Sequence, residues 1–342
     1  MLRLVVDENI PYMRGEAERL GEVTYLPSMA ITPETVHDAD VLIVRTRTRC
    51  DAKLLQGSRV RFVATATIGH DHIDVSYMQQ AGIGWANCPG CNASSVAQYV
   101  RNVLLALADD GLLTMKDLCV GVVGVGHVGT RVVEALRVLG VEVLCCDPLR
   151  QARGEVEAAS FLSLDMLLAR CHVLTLHTPL TTEGIHATHH LITAERLAQA
   201  KHLHLLINTS RGEVVNNTDL LAALQRGQLP LAALDTWEHE PHIEPALLEA
   251  CHIATPHIAG YSADGKAMAT RMALTAVALH FGLNEVFTIT PPPLPNTPPI
   301  DLSMPAYHLW YYDPREDTAR LKMQPEAFES LRNNYWFRRE EP

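Results

Sequence analysis

Val120-Gly121-Val122-Val123-Gly124-Val125-Gly126-His127-Val128-Gly129 joins an apolar run to a turn with G-x-G-x-x-G spacing. The run reads as a buried strand, and the residues after it carry a helical pattern over 128–139. Each glycine has its own reason to be there. Gly124 permits the tight turn, Gly126 lets the backbone approach a pyrophosphate, and Gly129 permits close packing of helix on strand. A helix that opens near His127 and Val128 presents unpaired N–H groups and its positive dipole end to phosphates. His127 itself reads as a solvent-facing helix residue, although it belongs to the turn that would cradle the cofactor.

A glycine turn alone is weak evidence, because it can be only a turn. The next strand ends on Asp147, where an acidic side chain accepts hydrogen bonds from the ribose hydroxyls of an adenosine. A carboxylate there repels a 2′-phosphate, so NAD is expected and NADP is not.

Outward from this unit the chain alternates strands and helices. Strands are expected at 118–123, 142–146, 173–176, 204–208 and 231–234, with helices at 128–139, 164–169, 194–199 and 218–226 between them. That is a doubly wound parallel sheet of Rossmann type. A first α/β series precedes it, with strands at 2–6, 23–26, 41–44 and 61–65 and a helix over 11–20 ended by Gly21. Long helices are expected at 94–108 and 265–281, and the second would carry the chain back to the first series.

The expected architecture is therefore α/β, with two doubly wound parallel-sheet domains. Residues 1–93 and 258–284 form a discontinuous, flavodoxin-like substrate-binding domain, and residues 94–257 form the NAD-binding domain. Six prolines in 291–299 mark a linker, so 285–342 is expected as a small C-terminal α+β module. Its plain reading is docking or oligomerisation.

Composition bounds the function. With 342 residues, 47% hydrophobic and 20% charged, the chain can bury a full core. A formal net charge of −11 argues against broad binding to nucleic acid. No run reads as a membrane span or a secretory signal, and eight scattered cysteines fit a reducing, cytoplasmic setting.

Hydride transfer from a hydroxy acid needs a base for the hydroxyl proton and a cation for the carboxylate. Three candidates follow strands of the second series. Arg211, in Thr209-Ser210-Arg211-Gly212, can grip a carboxylate through two parallel hydrogen bonds, or it is a surface arginine. Glu240 lies in Trp237-Glu238-His239-Glu240-Pro241, and His257 in Thr255-Pro256-His257-Ile258-Ala259-Gly260-Tyr261. A carboxylate beside a histidine fixes its tautomer and suits it to shuttle a proton. A lone histidine is more often structural, and the shared topological region is what favours the reactive reading.

The order of these motifs resembles the D-isomer-specific 2-hydroxyacid dehydrogenase family over residues 1 to about 285. The resemblance implies that Arg211 binds the substrate carboxyl and carbonyl, Glu240 supports the histidine, and His257 is the acid/base. Further stretches narrow it to a member acting on a phosphorylated hydroxy acid: Asp7-Glu8-Asn9-Ile10-Pro11, Val44-Arg45-Thr46, the run from Ala64 to Asp74, Pro89-Gly90-Cys91-Asn92-Ala93 and Leu331-Arg332-Asn333-Asn334-Tyr335. By that resemblance Thr46, Thr67 and Tyr261 contact substrate. Thr175, Thr209, Asp235 and Gly260 join Gly124, Gly126, His127, Val128, Gly129 and Asp147 around NAD. The tail then makes a homodimer, and Arg338 and Arg339 are candidates to reach the partner's site.

Arg45, Arg47 and Arg49 share one face if the strand before them continues. Either that face is a solvated edge, or Arg45 helps bind the substrate phosphate. Cys88-Pro89-Gly90-Cys91 has redox or zinc spacing but lacks a second ligand pair, so a loop entering the helix is favoured. Cys145 and Cys146 point to opposite faces of a strand and read as one core and one surface residue. His70 and His72 flank Asp71 in a loop and read as structural; no metal is expected. Two rivals stand beside this reading. One is a relative acting on phosphoglycerate, glycerate or hydroxypyruvate, and the other is a non-catalytic NAD-sensing scaffold.

Overall fold

A computed structural model describes residues 1–294, 296 and 304–341. The chain divides into two compact units, 1–92 with 262–294 and 93–261 with 295–342.

In the first unit five parallel strands pair in the order β2-β1-β3-β4-β5. They are β1 (Leu2–Asp7), β2 (Gly21–Leu26), β3 (Val41–Val44), β4 (Phe62–Thr65) and β5 (Gly84–Ala86). This is the flavodoxin-like order. A parallel sheet is covered on both faces, so its central strands lose the polar alternation of a half-exposed sheet. β3 and β4 are buried at every position. Val6, Ile43 and Ala64 pack on one side with Leu274 and Val277 of the helix Ala263–His280. Val5, Leu42 and Val63 pack on the other with Met78.

Two local expectations fail here. Residues 11–20 form only a short 3-10 turn, Ala17–Arg19, because Tyr12 (φ 61°) and Gly15 (φ 88°) sit in the left-handed region and break the helical ladder. Gly21 begins β2 and ends no helix. The arginine face is also absent. β3 stops at Val44 and the chain turns, with the Thr48 N–H donating to the Arg45 carbonyl at 3.3 Å. Arg45 Nε instead pairs with buried Asp7 (3.2 Å), while Arg49 pairs with Asp51 near the surface.

The second unit holds six parallel strands in the order β11-β10-β9-β8-β6-β7. These are β6 (Cys119–Val123), β7 (Glu142–Cys146), β8 (Val173–Leu176), β9 (Leu205–Asn208), β10 (Leu231–Leu234) and β11 (Ile253–Ala254). After β6 the chain builds β7 on one side, then returns to add β8 on the other. That reversal is where open α/β sheets bind ligands, and the glycine turn leaves β6 at this point. Cys145 and Cys146 do point to opposite faces, but both are buried, one in each core layer. The surface expected for one of them is covered because helices pack on both sides of the sheet.

The tail adds helices Met304–Tyr311, Pro314–Met323 and Phe328–Asn333 to this unit. Leu321 and Phe328 join its core, and the Thr318 hydroxyl accepts the Ala254 N–H at 3.0 Å, covering the edge of the two-residue β11. An α+β module was expected; among the described residues the tail forms helices and no strand. The proline linker falls partly on Pro295 and residues 297–299, which lie outside the described residues. Among the described residues no helix is long and apolar enough to cross a membrane.

Candidate active site

The turn after β6 has the geometry its glycines require. Gly124 adopts φ 85°, and a Cβ on it would lie 2.7 Å from the His177 carbonyl oxygen. On Gly129 a Cβ would lie 2.0 Å from the Gly124 carbonyl oxygen, so helix and turn touch there. Nothing lies within 4 Å of where a Cβ on Gly126 would project. Gly126 caps the helix His127–Val138 without any side-chain cap, and His127 is exposed with Val128 half-buried. Open space beside uncapped N–H groups fits a dinucleotide pyrophosphate.

Asp147 stands at the end of β7 and ties this turn together. Its Oδ2 accepts the Val125 N–H (2.9 Å) and its Oδ1 the Arg150 N–H (3.0 Å). Each oxygen keeps a further lone pair for a ribose hydroxyl. Arg150 could in principle attract a 2′-phosphate, but its guanidinium is spent on Glu155, Glu157 and the Val125 carbonyl.

Thr175 and Thr209 flank a residue that sequence reasoning passed over. His177 Nε2 meets Thr175 Oγ1 at 2.9 Å, and Nδ1 meets Thr209 Oγ1 at 3.2 Å. Burial pushes its pKa down to about 3, so it stays neutral and bridges β8 to the loop carrying Arg211.

The loops after β9, β10 and β11, which carry Arg211, Glu240 and His257, lock onto one another. A Cβ on Gly212 would lie 2.0 Å from the Trp237 carbonyl, so the residue after Arg211 must be glycine for the two loops to meet. The Arg211 guanidinium donates to the Ser210 carbonyl at 2.8 Å. Trp237 then donates its indole N–H to the Thr255 carbonyl (3.0 Å), linking the second loop to the third.

His257 Nδ1 meets Glu240 Oε2 at 2.8 Å, and the other oxygen of Glu240 accepts the Trp237 N–H at 2.9 Å. A carboxylate acceptor fixes the proton on Nδ1 and leaves Nε2 as the ring nitrogen able to accept a proton. Burial alone would raise the Glu240 carboxyl. The His257 hydrogen bond and charge, the Trp237 N–H and the Arg332 charge outweigh it and hold the group below its ordinary value.

His257 has φ 58°, a left-handed conformation uncommon for a residue other than glycine. Asp235, 1% exposed, holds it there. Its carboxylate accepts the Ile258 N–H (2.7 Å), the Ala259 N–H (3.0 Å) and the Thr255 hydroxyl (2.6 Å). From the opposite polarity, the buried Arg338 guanidinium donates to the Ile258 (3.1 Å) and Ala259 (2.6 Å) carbonyls. Tyr261, after half-buried Gly260, packs its ring near Tyr335 and Phe337 of the tail.

The family profile described as "D-isomer specific 2-hydroxyacid dehydrogenase, NAD binding domain" matches residues 98–259. Over 341 residues the chain is 46% identical to erythronate-4-phosphate dehydrogenase of Bacteroides fragilis, spanning 99% of this chain and 97% of that one. The chain belongs to the D-isomer-specific 2-hydroxyacid dehydrogenase family, in its erythronate-4-phosphate dehydrogenase branch. The enzyme of that name from Azotobacter vinelandii is also 46% identical, over 99% of this chain and 93% of its own. Among solved structures, D-lactate dehydrogenase from Aquifex aeolicus, complexed with NAD and lactic acid, aligns with a TM-score of 0.63 at 26% identity, covering 82% of this chain and 96% of that one. This member is an NAD-dependent oxidoreductase.

In the first unit Thr46 is exposed, beside Arg45 with its Asp7 partner. The Thr67 hydroxyl lies 2.7 Å from Thr65 Oγ1 and donates to the Gly69 carbonyl at 2.9 Å. Buried His72 extends that line with Nε2 at 3.0 Å from Thr65 Oγ1, while His70 lies against Trp85. Cys88 is buried, its single S–H within reach of the Thr65 (3.3 Å) and Ala269 (3.2 Å) carbonyls, and burial pushes the thiol pKa far up. A thiol so held is a poor nucleophile.

Arg338 corrects an expectation. It is fully buried inside its own unit, donating to Ser95 and Gln98 as well as to the His257 loop, so it has no reach toward a partner's site. Arg332 was missed entirely as a site residue. Its only trace in the sequence was the Leu331-Arg332-Asn333-Asn334-Tyr335 stretch, whose partners lie far away along the chain.

Proposed function

We propose that this protein oxidises C2 of 4-phospho-D-erythronate to give 2-oxo-3-hydroxy-4-phosphobutanoate, a step in pyridoxal 5′-phosphate synthesis. The carrying observation is the 2.8 Å contact of His257 Nδ1 with Glu240, which presents Nε2 as a proton acceptor. As the C2–H bond breaks, its electron pair leaves as hydride and the hydroxyl proton passes to His257 Nε2. NAD, when bound, supplies the hydride acceptor. Glu240 stabilises the imidazolium that forms, and Arg211 holds the carboxylate and the developing carbonyl.

The glycine turn, with His127 and Val128 at the helix start, and Asp147 serve the pyrophosphate and ribose. Thr175, Thr209, Asp235 and Gly260 complete the cofactor side. Arg45, Thr46, Thr67 and Tyr261 take the substrate, with Arg45 assigned to the phosphate. The tail supports assembly as a homodimer, and the protein works in the cytoplasm.

The test is NADH formation with 4-phospho-D-erythronate and with 3-phosphoglycerate, side by side. A higher kcat/KM for the four-carbon acid is expected. Faster oxidation of 3-phosphoglycerate would overturn the substrate assignment while leaving the chemistry intact.

A further inference from the structure

Arg332 comes from the last helix of the tail, yet its Nη1 lies 3.6 Å from Glu240 Oε2, the same oxygen that meets His257 Nδ1 at 2.8 Å. Tyr261, the residue assigned to substrate, is among the groups that act on the Arg332 charge. Burial works against its charge, and Tyr261 and Glu240 more than offset that penalty. One carboxylate oxygen thus serves an imidazole and a permanent cation together.

We propose that Arg332 is a positioning residue for the reaction: it shares the Glu240 carboxylate with His257 and so sets how readily the histidine takes and gives up its proton. This rests on His257 and Glu240 being the acid/base pair. A carboxylate with no other partner would hold the imidazolium tightly and keep the base charged. A cation at the same oxygen weakens that hold, so more of the histidine stays neutral and able to accept the hydroxyl proton. The charged and titratable groups that meet this cluster are Glu240, Asp235, Tyr261 and His257 itself, with Arg338 reaching the loop through the Ile258 and Ala259 carbonyls.

The pH profile of kcat/KM for 4-phosphoerythronate oxidation separates this role from a structural one. In Arg332→Gln the acid limb should move to higher pH by about half a unit or more, as expected for one charge removed at this range. Arg332→Met, which keeps the packing of the stem, should do the same and serves if the amide variant does not fold. Arg332→Lys should restore the limb. On a Glu240→Gln background, removing Arg332 should move the limb less, because only the direct charge effect of the guanidinium remains. An unmoved limb in both neutral variants, whatever happens to kcat or KM, overturns the proposal. If His257→Gln retained full kcat, the acid/base reading beneath it would fail instead, and the two failures are distinct.

Discussion

Asp235 holds the backbone of His257 without touching its ring. Its two oxygens accept the N–H groups of Ile258 and Ala259, the residues that follow the histidine. They also take the Thr255 hydroxyl, which in turn meets the phenol of Tyr99 at 2.8 Å. A left-handed backbone costs about 1–3 kcal/mol at a residue other than glycine and persists where its surroundings over-determine it. The aim of the imidazole is therefore fixed by a carboxylate at the end of the neighbouring strand.

Replacing Asp235 by Asn keeps the shape but turns an amide N–H toward a backbone N–H. The buried donor left unmatched costs about 1–3 kcal/mol. Asp235→Asn should therefore lower the unfolding midpoint and also lower kcat. Unchanged kcat in a destabilised variant would mean that the loop keeps its aim without the carboxylate.

The two outer glycines of the cofactor turn and the middle one should fail differently. Gly129→Ala forces its Cβ against the Gly124 carbonyl oxygen, so stability and NAD affinity should fall together. Gly126→Ala meets nothing within 4 Å and should fold as the parent does, while its Kd for NAD rises. Calorimetric unfolding and NAD titration of both variants read the contrast. Equal destabilisation of the two would contradict the assignment of space beside Gly126 to the pyrophosphate.

Much of this fold is legible in the sequence because a sheet covered on both faces writes itself as short apolar runs. β3, β8 and β10 lie where their runs of Val, Ile, Leu and Ala predict, and Asp147 stands at the end of the strand expected before it. Short elements were not visible: β5 has three residues and β11 two, and their pairing depends on neighbours distant in sequence. Local pattern also misled at residues 11–20, where left-handed residues undo a helical-looking run. Arg332 and Arg338 could not be read, since nothing around them signals that their partners are Glu240 and the carbonyls after His257.

Glu240 makes a pH prediction. Its folded pKa is held below the ordinary value, so its ionised form stabilises the fold above about pH 4.3, the unfolded value, and that contribution is lost as pH falls through the depressed folded value. Denaturant unfolding should show Glu240→Gln less stable than the parent at neutral pH and equal to it in acid. A gap that persists in acid would mean the loss came from packing and not from charge.

Arg338→Ala removes a buried guanidinium from five backbone or side-chain acceptors, among them the Ile258, Ala259 and Ser95 carbonyls. Each buried acceptor left without its donor costs about 1–3 kcal/mol. The variant should unfold well below the parent, and a chain ending before Arg338 should behave alike. Near-parental stability in both would show that the His257 loop does not depend on the tail.

The most direct measurement is kcat of His257→Gln beside its affinity for NAD, read on the same preparation. Loss of a general base lowers turnover by about 10²–10⁴-fold. The account predicts that loss with cofactor binding unchanged, because the histidine stands on the β11 loop and the pyrophosphate turn on β6. Turnover equal to the parent's would contradict it.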